Sequence, residues 1–268
     1  MKALVLIGSQ ARNQGAIGSA DAHSDWDFQI VTSRSALFGD RNWIAKTGLP
    51  EPLAYAVRLG RLARVGKATA VFRQGTMDLV LLPASQLRIA RWLLRLGLLS
   101  GIERALDPLR ELSLVLGGGH RLLKGGKGWA TFFQRIAAEI PPARLSDGNI
   151  LAMAEAFVCD YVSTWDKISR GEFIAAQRWL HAQLAETNFR FFYELRLRHG
   201  LPTFHDARRI ELLGDVKWGP AVMISAAPNA QSLGAAIEKS AATFRELVAA
   251  LIDSRWQWPR ELPFKPAR

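Results

Sequence analysis

The sequence predicts an α/β (α+β) chain: a small mixed sheet in a first domain, residues 1–143, and an α-helical second domain, residues 144–268. Three observations predict it. Short apolar runs bounded by glycine, serine and proline fill much of the first half. Helical periodicity fills the second. Between them "EIPPARLSDGN", residues 139–149, carries two prolines and a glycine where the composition shifts.

Taken in order, "KALVLIGS" is a short buried strand ending in Gly8-Ser9, and "DFQIVTS" is a second, with Asp27, Gln29 and Val31 on one face. "MKALVLIG" has no A-x-A-like cleavage site behind it and reads as that first strand rather than a signal peptide. "GKATAVFRQGTMDLVLLP" reads as a hairpin turning at Arg73-Gln74-Gly75 and stopped by Pro83. Residues 84–107 show a helical stripe through Leu87, Ala90, Leu94 and Leu98. "ELSLVLGGGH" reads as a further short strand running into a glycine turn. "GGGHRLLKGGKG" is not a Walker loop: no glycine stands five residues before Gly126-Lys127, and Gly128 replaces the required hydroxyl residue. Beyond the boundary, helices are expected at roughly 149–169, 171–199, 205–214 and 230–254, followed by the proline-rich tail "ELPFKPAR".

The 268 residues suffice for a substantial core, and no apolar run approaches the roughly 18 residues of a membrane span. Cys159 is the sole cysteine, which rules out an internal disulfide and a thiolate metal site and suits a reducing cytoplasm. The net charge of +11 concentrates in residues 58–135, with 14 basic and 4 acidic positions. Such a field attracts a nucleoside triphosphate, a nucleic acid or an acidic partner; the alternative is a solvated arginine-rich surface.

Asp25 and Asp27 project from the same face of a strand, where two ionised carboxylates repel and are costly to bury unpaired. A divalent cation is one remedy, since Mg²⁺ takes oxygen ligands and completes its shell with water or phosphate. Asp78 is a third acid inside an apolar strand, "TMDLVLL". If that strand lies beside the second, the three converge, in a pattern that suits metal-assisted phosphoryl or nucleotidyl transfer. Gly8 would let backbone approach a phosphate, Ser9 would offer a hydroxyl and a helix start, and Arg12 lies one turn on.

The ordered set, an apolar strand, Gly-Ser, Ser-Asp-x-Asp and a later strand aspartate, resembles the nucleotidyltransferase superfamily that includes DNA polymerase β. Within it the chain looks most like the aminoglycoside 6-adenylyltransferase (streptomycin adenylyltransferase) family, through "LIGSQAR", "SDWDFQIVTS", "FGDRNWI" with Trp43, and "RQGTMDLVLLP". More loosely, "AEAFVCDYVSTWDKISRGEFIAAQRWL" is similar to that family's second domain. The resemblance implies transfer of a nucleoside monophosphate, commonly AMP from ATP, to an acceptor hydroxyl with release of pyrophosphate. It implies Mg²⁺ on Asp25, Asp27 and Asp78, the triphosphate on Gly8 and Ser9, and a small hydroxylated acceptor such as an aminoglycoside. The chain departs from its relatives in starting directly at the first strand, in the 15-residue spacer between Ser9 and Asp25, and in Gln10, where an arginine often follows.

In the first predicted helix of the second domain, Met153, Ala154, Phe157, Val158, Tyr161, Trp165 and Ile168 form one apolar face. Glu155 and Asp166 fall at its edge, about 16 Å apart along the axis at roughly 1.5 Å per residue. Glu155 matches the family's acid before an aromatic pair and is the candidate acceptor-side base; the alternative is a surface acid. Five acids against two bases from Asp147 to Glu172 would suit a polycationic acceptor, or a solvated helix face. Lys167 and Arg170 are candidates to reach the triphosphate. The five histidines, at 23, 120, 181, 199 and 205, show no ligand spacing, and Trp26 is expected in the core. Nucleotidylation of a protein or RNA, or non-catalytic binding of nucleic acid or another partner on the same fold, are the competing readings.

Overall fold

The computed structural model describes residues 1–14, 16, 18–59, 65–98, 103–203, 207–215 and 217–262, with backbone alone at 103–105. The chain falls into two compact units, Met1–Ala143 and Arg144–Arg268.

In the first unit the apolar runs become strands β1 (Ala3–Ile7), β2 (Trp26–Thr32), β3 (Ala54–Leu59), β4 (Gly66–Phe72) and β5 (Gly75–Pro83). They are followed by α1 (Ala84–Arg95), α2 (Glu103–Gly117), β6 (Arg121–Lys124) and α3 (Lys127–Glu139). The six strands form one mixed sheet in the order β3-β4-β5-β2-β1-β6. The β2–β5 pair is parallel and all other neighbours are antiparallel. One face of the sheet, with Ala3, Val5, Ile7 and Val31, packs against Leu87 and Leu94 of α1, Leu109, Leu112 and Leu116 of α2, and Phe132, Phe133 and Ile136 of α3. The other face carries Ile30, Ala68, Leu79 and Leu81, with Phe38, Trp43 and Tyr55 packed over them.

Several expectations are corrected here. "ELSLVL" is helix rather than strand: Leu109, Leu112 and Leu116 recur at helical spacing and are all buried, so a strand would have exposed part of that set. The helix that begins at Ala84 stops at Arg95, ahead of Gly97 in the left-handed region, and Leu98 is left 49% exposed rather than in the stripe. Trp26 is 46% exposed and stacks on Phe28, with ring centroids 6.3 Å apart, because it opens its strand at the sheet's end, beyond the core. Strands β3 and β6 and helix α3 were not anticipated.

The second unit contains α4 (Asp147–Ser169), α5 (Phe173–Trp179), α6 (Glu186–Arg198), α7 (Trp218–Val222) and α8 (Ala230–Ile252). Ser146 caps α4 by accepting from the Asn149 N–H, and Asn229 caps α8 by accepting from that of Ser232. The apolar face expected on α4 is the one it buries, through Ala154, Phe157, Tyr161, Trp165 and Ile168. At its centre Phe157 stacks on Phe244 of α8 with centroids 3.7 Å apart. The helix expected over 171–199 is interrupted by a wide π turn at Leu180–Ala185. Of the helix expected at 205–214, residues 205 and 206, including His205, lie outside the described residues, and Ile210–Leu212 form only a 3-10 turn. Arg61, Arg64 and residues 263–268 of the tail also lie outside them. Among the described residues, no helix is long and apolar enough to cross a membrane.

Candidate active site

The parallel pairing of β2 and β5 sets Asp27 directly beside Asp78, and β1 returns antiparallel on the other side with Ile7 opposite Asp27. Directly paired residues share a face, so both carboxylates emerge on the face that packs against α1, α2 and α3 farther along. Burial rises along β2 from half-buried Asp27 to buried Gln29 and fully buried Val31. The acids thus stand at the mouth of the core. Asp25, just ahead of β2, joins them: one carboxylate oxygen from each of Asp25, Asp27 and Asp78 lies within 4.8 Å of the others.

Three negative charges at that spacing are costly. Each pair repels by about 3 kcal/mol at an effective dielectric near 20. One positive charge partly offsets this: Lys67 Nζ lies 2.6 Å from Asp78 Oδ2. Thr69 Oγ1 donates to the other oxygen, Oδ1, at 2.6 Å. Both come from β4, where Thr69 stands opposite Asp78 and Lys67 opposite Val80, on the same face. Neither residue was singled out from sequence. The signal was the alternation in "GKATAVF", with Lys67 and Thr69 against buried Ala68 and Ala70, but it names no partner until the β4–β5 register is known.

The turn after β1 closes the site from the other side. Gly8 has φ 72° and ψ −156°, a conformation that glycine adopts without strain. A Cβ at this position would collide with Asp27 Oδ2. Ser9 is buried and opens a three-residue 3-10 turn, Ser9–Ala11, in place of the expected helix start. That turn is too short for a macrodipole, so what it offers an anion is the Ser9 hydroxyl and the close backbone approach at Gly8.

Arg12, a candidate for the triphosphate, also bonds backbone carbonyls. Its Nε donates to the Gly118 carbonyl at 2.8 Å and its Nη1 to that of Gly18 at 2.7 Å. It thereby ties the Ser9 turn to the glycine turn after α2, where a Cβ on Gly119 would come within 3.2 Å of the Ala11 carbonyl. The "GGGH" segment therefore packs against the site's own loop. Just ahead of Asp25, Asp21 Oδ1 accepts from the His23 N–H and from Ser24 Oγ, both at 2.9 Å.

The residues fit a hard divalent cation. All three donors are carboxylate oxygens, they converge, and their geometry is defended by a glycine that leaves no room for a side chain.

In the second unit, Glu155 is exposed on α4, with its Oε1 accepting from Trp256 Nε1 at 2.7 Å. The Lys167 ammonium lies 4.3 Å from the centroid of the Trp179 ring. Much of the acidic stretch is internally engaged: Asp147 pairs with Arg255 and Arg198, Asp160 accepts from Trp179 Nε1, and Glu172 lies 3.9 Å from Arg170. The described basic stretch is partly engaged too, with Arg135 on Glu139, Arg110 on Asp107, and Arg91 over the Trp129 ring.

No protein-family profile matches the chain, and no curated protein matches it in sequence. Solved structures similar to it include the following two. An aminoglycoside 6-adenyltransferase from Bacillus subtilis superposes with a TM-score of 0.41 at 11% identity, covering 88% of this chain and 83% of its own. A nucleotidyltransferase-like protein from Exiguobacterium sibiricum 255-15 gives a TM-score of 0.34 at 10% identity, covering 93% and 70% respectively. Likeness this loose assigns neither family nor substrate, so the chemistry rests on the site itself.

Proposed function

We propose that this chain is a divalent-metal-dependent nucleotidyltransferase, moving a nucleoside monophosphate, AMP from ATP, onto a hydroxyl of a small molecule. The observation that carries the reading is the convergence of Asp25, Asp27 and Asp78 beside the Gly8-Ser9 turn. Carboxylates gathered where a phosphate chain would lie repel that chain unless a cation stands between, which favours catalysis over simple anion binding.

In this reading Asp25, Asp27 and Asp78 hold Mg²⁺, Thr69 fixes the orientation of Asp78, and Gly8 and Ser9 receive the triphosphate. The cation supplies Lewis-acid polarisation of the α-phosphate and a lower pKa for an attacking hydroxyl. The acceptor oxygen forms a bond to the α-phosphorus while the bond from that phosphorus to the α–β bridging oxygen breaks. Pyrophosphate departs with the electron pair. The hydroxyl proton leaves to solvent or to an acceptor-side base; Glu155, whose Oε1 accepts from the Trp256 indole N–H, is the candidate for that base in the second unit. An aminoglycoside is the first acceptor to try, although the pairing of Asp147 and Glu172 with arginines leaves fewer acids for a polycation than the sequence alone suggests. The single exposed thiol of Cys159 suits a reducing cytoplasm.

Labelled ATP, Mg²⁺ and a panel of aminoglycosides and other polyols test the reading through acceptor-dependent pyrophosphate release. Release that falls about a hundredfold or more in Asp27→Asn supports it. Release that is unchanged in Asp25→Asn and Asp27→Asn overturns it.

A further inference from the structure

Asp78 is the most buried of the three acids, and both of its oxygens are engaged: Oδ1 by the Thr69 hydroxyl and Oδ2 by the Lys67 ammonium, each at 2.6 Å. The two donors differ in kind. A hydroxyl is neutral and leaves the second lone pair of its oxygen open to a cation. An ammonium at 2.6 Å is itself a cation, and a divalent ion on the same carboxylate would meet it as a like charge. Lys67 is also built to move. Its charge rides on a flexible four-carbon stem, and its side chain is 40% exposed against 11% for that of Asp78.

We propose that Lys67 competes with the divalent cation for Asp78, and that a bound triphosphate relieves the competition by offering the ammonium another anion. This rests on the metal-site reading above and adds a regulatory consequence to it. Cation and nucleotide bind together better than either binds alone, and the coupling is reciprocal. The arrangement disfavours loading of the acidic cluster before the nucleotide arrives. Thr69 keeps the carboxylate aimed throughout, since its bond does not depend on the lysine.

The test is Mn²⁺ binding, followed by the electron-paramagnetic resonance of the free ion. The full chain is compared as wild type, Lys67→Met, Lys67→Gln, Lys67→Arg and Asp78→Asn. Without nucleotide, Lys67→Met and Lys67→Gln bind Mn²⁺ about tenfold more tightly than wild type, the effect of removing one nearby positive charge. Lys67→Arg stays near wild type, and Asp78→Asn weakens binding. A methylene-bridged ATP analogue raises Mn²⁺ affinity in the wild type and raises it less in Lys67→Met. A residue that merely stabilised the fold would not tighten metal binding when removed, so the sign of the change is diagnostic. Thermal midpoints with and without Mn²⁺ supply a second readout, with a larger Mn²⁺-induced rise in Lys67→Met and Lys67→Gln. Unchanged or weaker Mn²⁺ binding in both variants overturns the role of Lys67 while leaving the metal site standing. Wild-type protein that binds no Mn²⁺ even with the analogue overturns the metal site, and this inference with it.

Discussion

Gly8 and Asp27 compete for one small volume, and that makes Gly8→Ala a sharp probe of the site. The added methyl collides with Asp27 Oδ2 and must also occupy a positive φ. We predict a loss of pyrophosphate release comparable with that of Asp27→Asn, at a stability cost of only about 1–3 kcal/mol by chemical denaturation. Thr69→Val removes one donor to Asp78 while keeping the strand's shape. It is expected to lower Mn²⁺ affinity or turnover about 10- to 100-fold, with the far-ultraviolet circular dichroism unchanged. The three aspartates and the Gly-Ser pair stood out in the sequence because acids inside apolar strands conflict with burial and demand a reason. Lys67 and Thr69 did not, because a lysine and a threonine alternating with alanines describe any half-exposed strand. Their meaning depends on which residues they face, and that is settled only by long-range pairing.

Among the elements, α6 carries a buried acid whose importance spacing could not reveal. Glu194 is buried, yet it accepts from Arg144 Nε, Arg198 Nε and the Leu145 N–H, each at 3.0 Å. Truncation by Glu194→Ala strands the Arg144 guanidinium and a backbone donor and removes one of several partners of Arg198, and should cost about 3 kcal/mol, read as a lowered denaturation midpoint. Glu194→Gln, which keeps the shape and an acceptor, should cost less. At the start of α4, the Arg255 hydrogen bond first and that of Arg198 second hold the Asp147 carboxyl below its usual range. An acid depressed in the fold stabilises above its unfolded pKa and loses that contribution as pH falls through the folded value. The loss therefore lies below about pH 4. Asp147→Asn should flatten the acid limb of the thermal midpoint against pH, modestly, since the pair is exposed. Burial, reinforced by its bond to Glu238, pushes the Tyr161 hydroxyl up to about 12. Its contribution is whole below the ordinary tyrosine value near 10 and is lost as pH rises through about 12, so Tyr161→Phe should shallow the alkaline limb. The long α4 and α8 were legible because their periodicity spans many turns. "ELSLVL" was misread because six residues satisfy periods of two and of nearly four alike. Strands β3 and β6 escaped because edge strands with exposed faces lack the apolar run that marks a central strand.

For the whole molecule, the net charge of +11 and the acidic cluster would act on the proposed nucleotide in opposite directions and at different ranges. The diffuse positive field is screened over about 8 Å at physiological salt, whereas bonds within the site are screened far less. Raising the salt severalfold should therefore weaken binding of an ATP analogue chiefly through a slower association rate, measurable by stopped flow, with little change in dissociation. What ordinary propensities describe is the bulk of the chain. What they miss is the sheet order, which runs β3-β4-β5-β2-β1-β6 and brings residues 67, 69 and 78 beside residues 25 and 27. That order hangs on a small hinge. The Arg73–Gln74 turn joins Phe72 to Gly75 and thereby decides which side of β4 greets Asp78. One residue inserted there, unless absorbed as a bulge, would present Ala68 and Ala70 in place of Lys67 and Thr69. On the proposed reading, a frame slip in a solvent-facing bend would thus silence nucleotidyl transfer with every acid still in its original place.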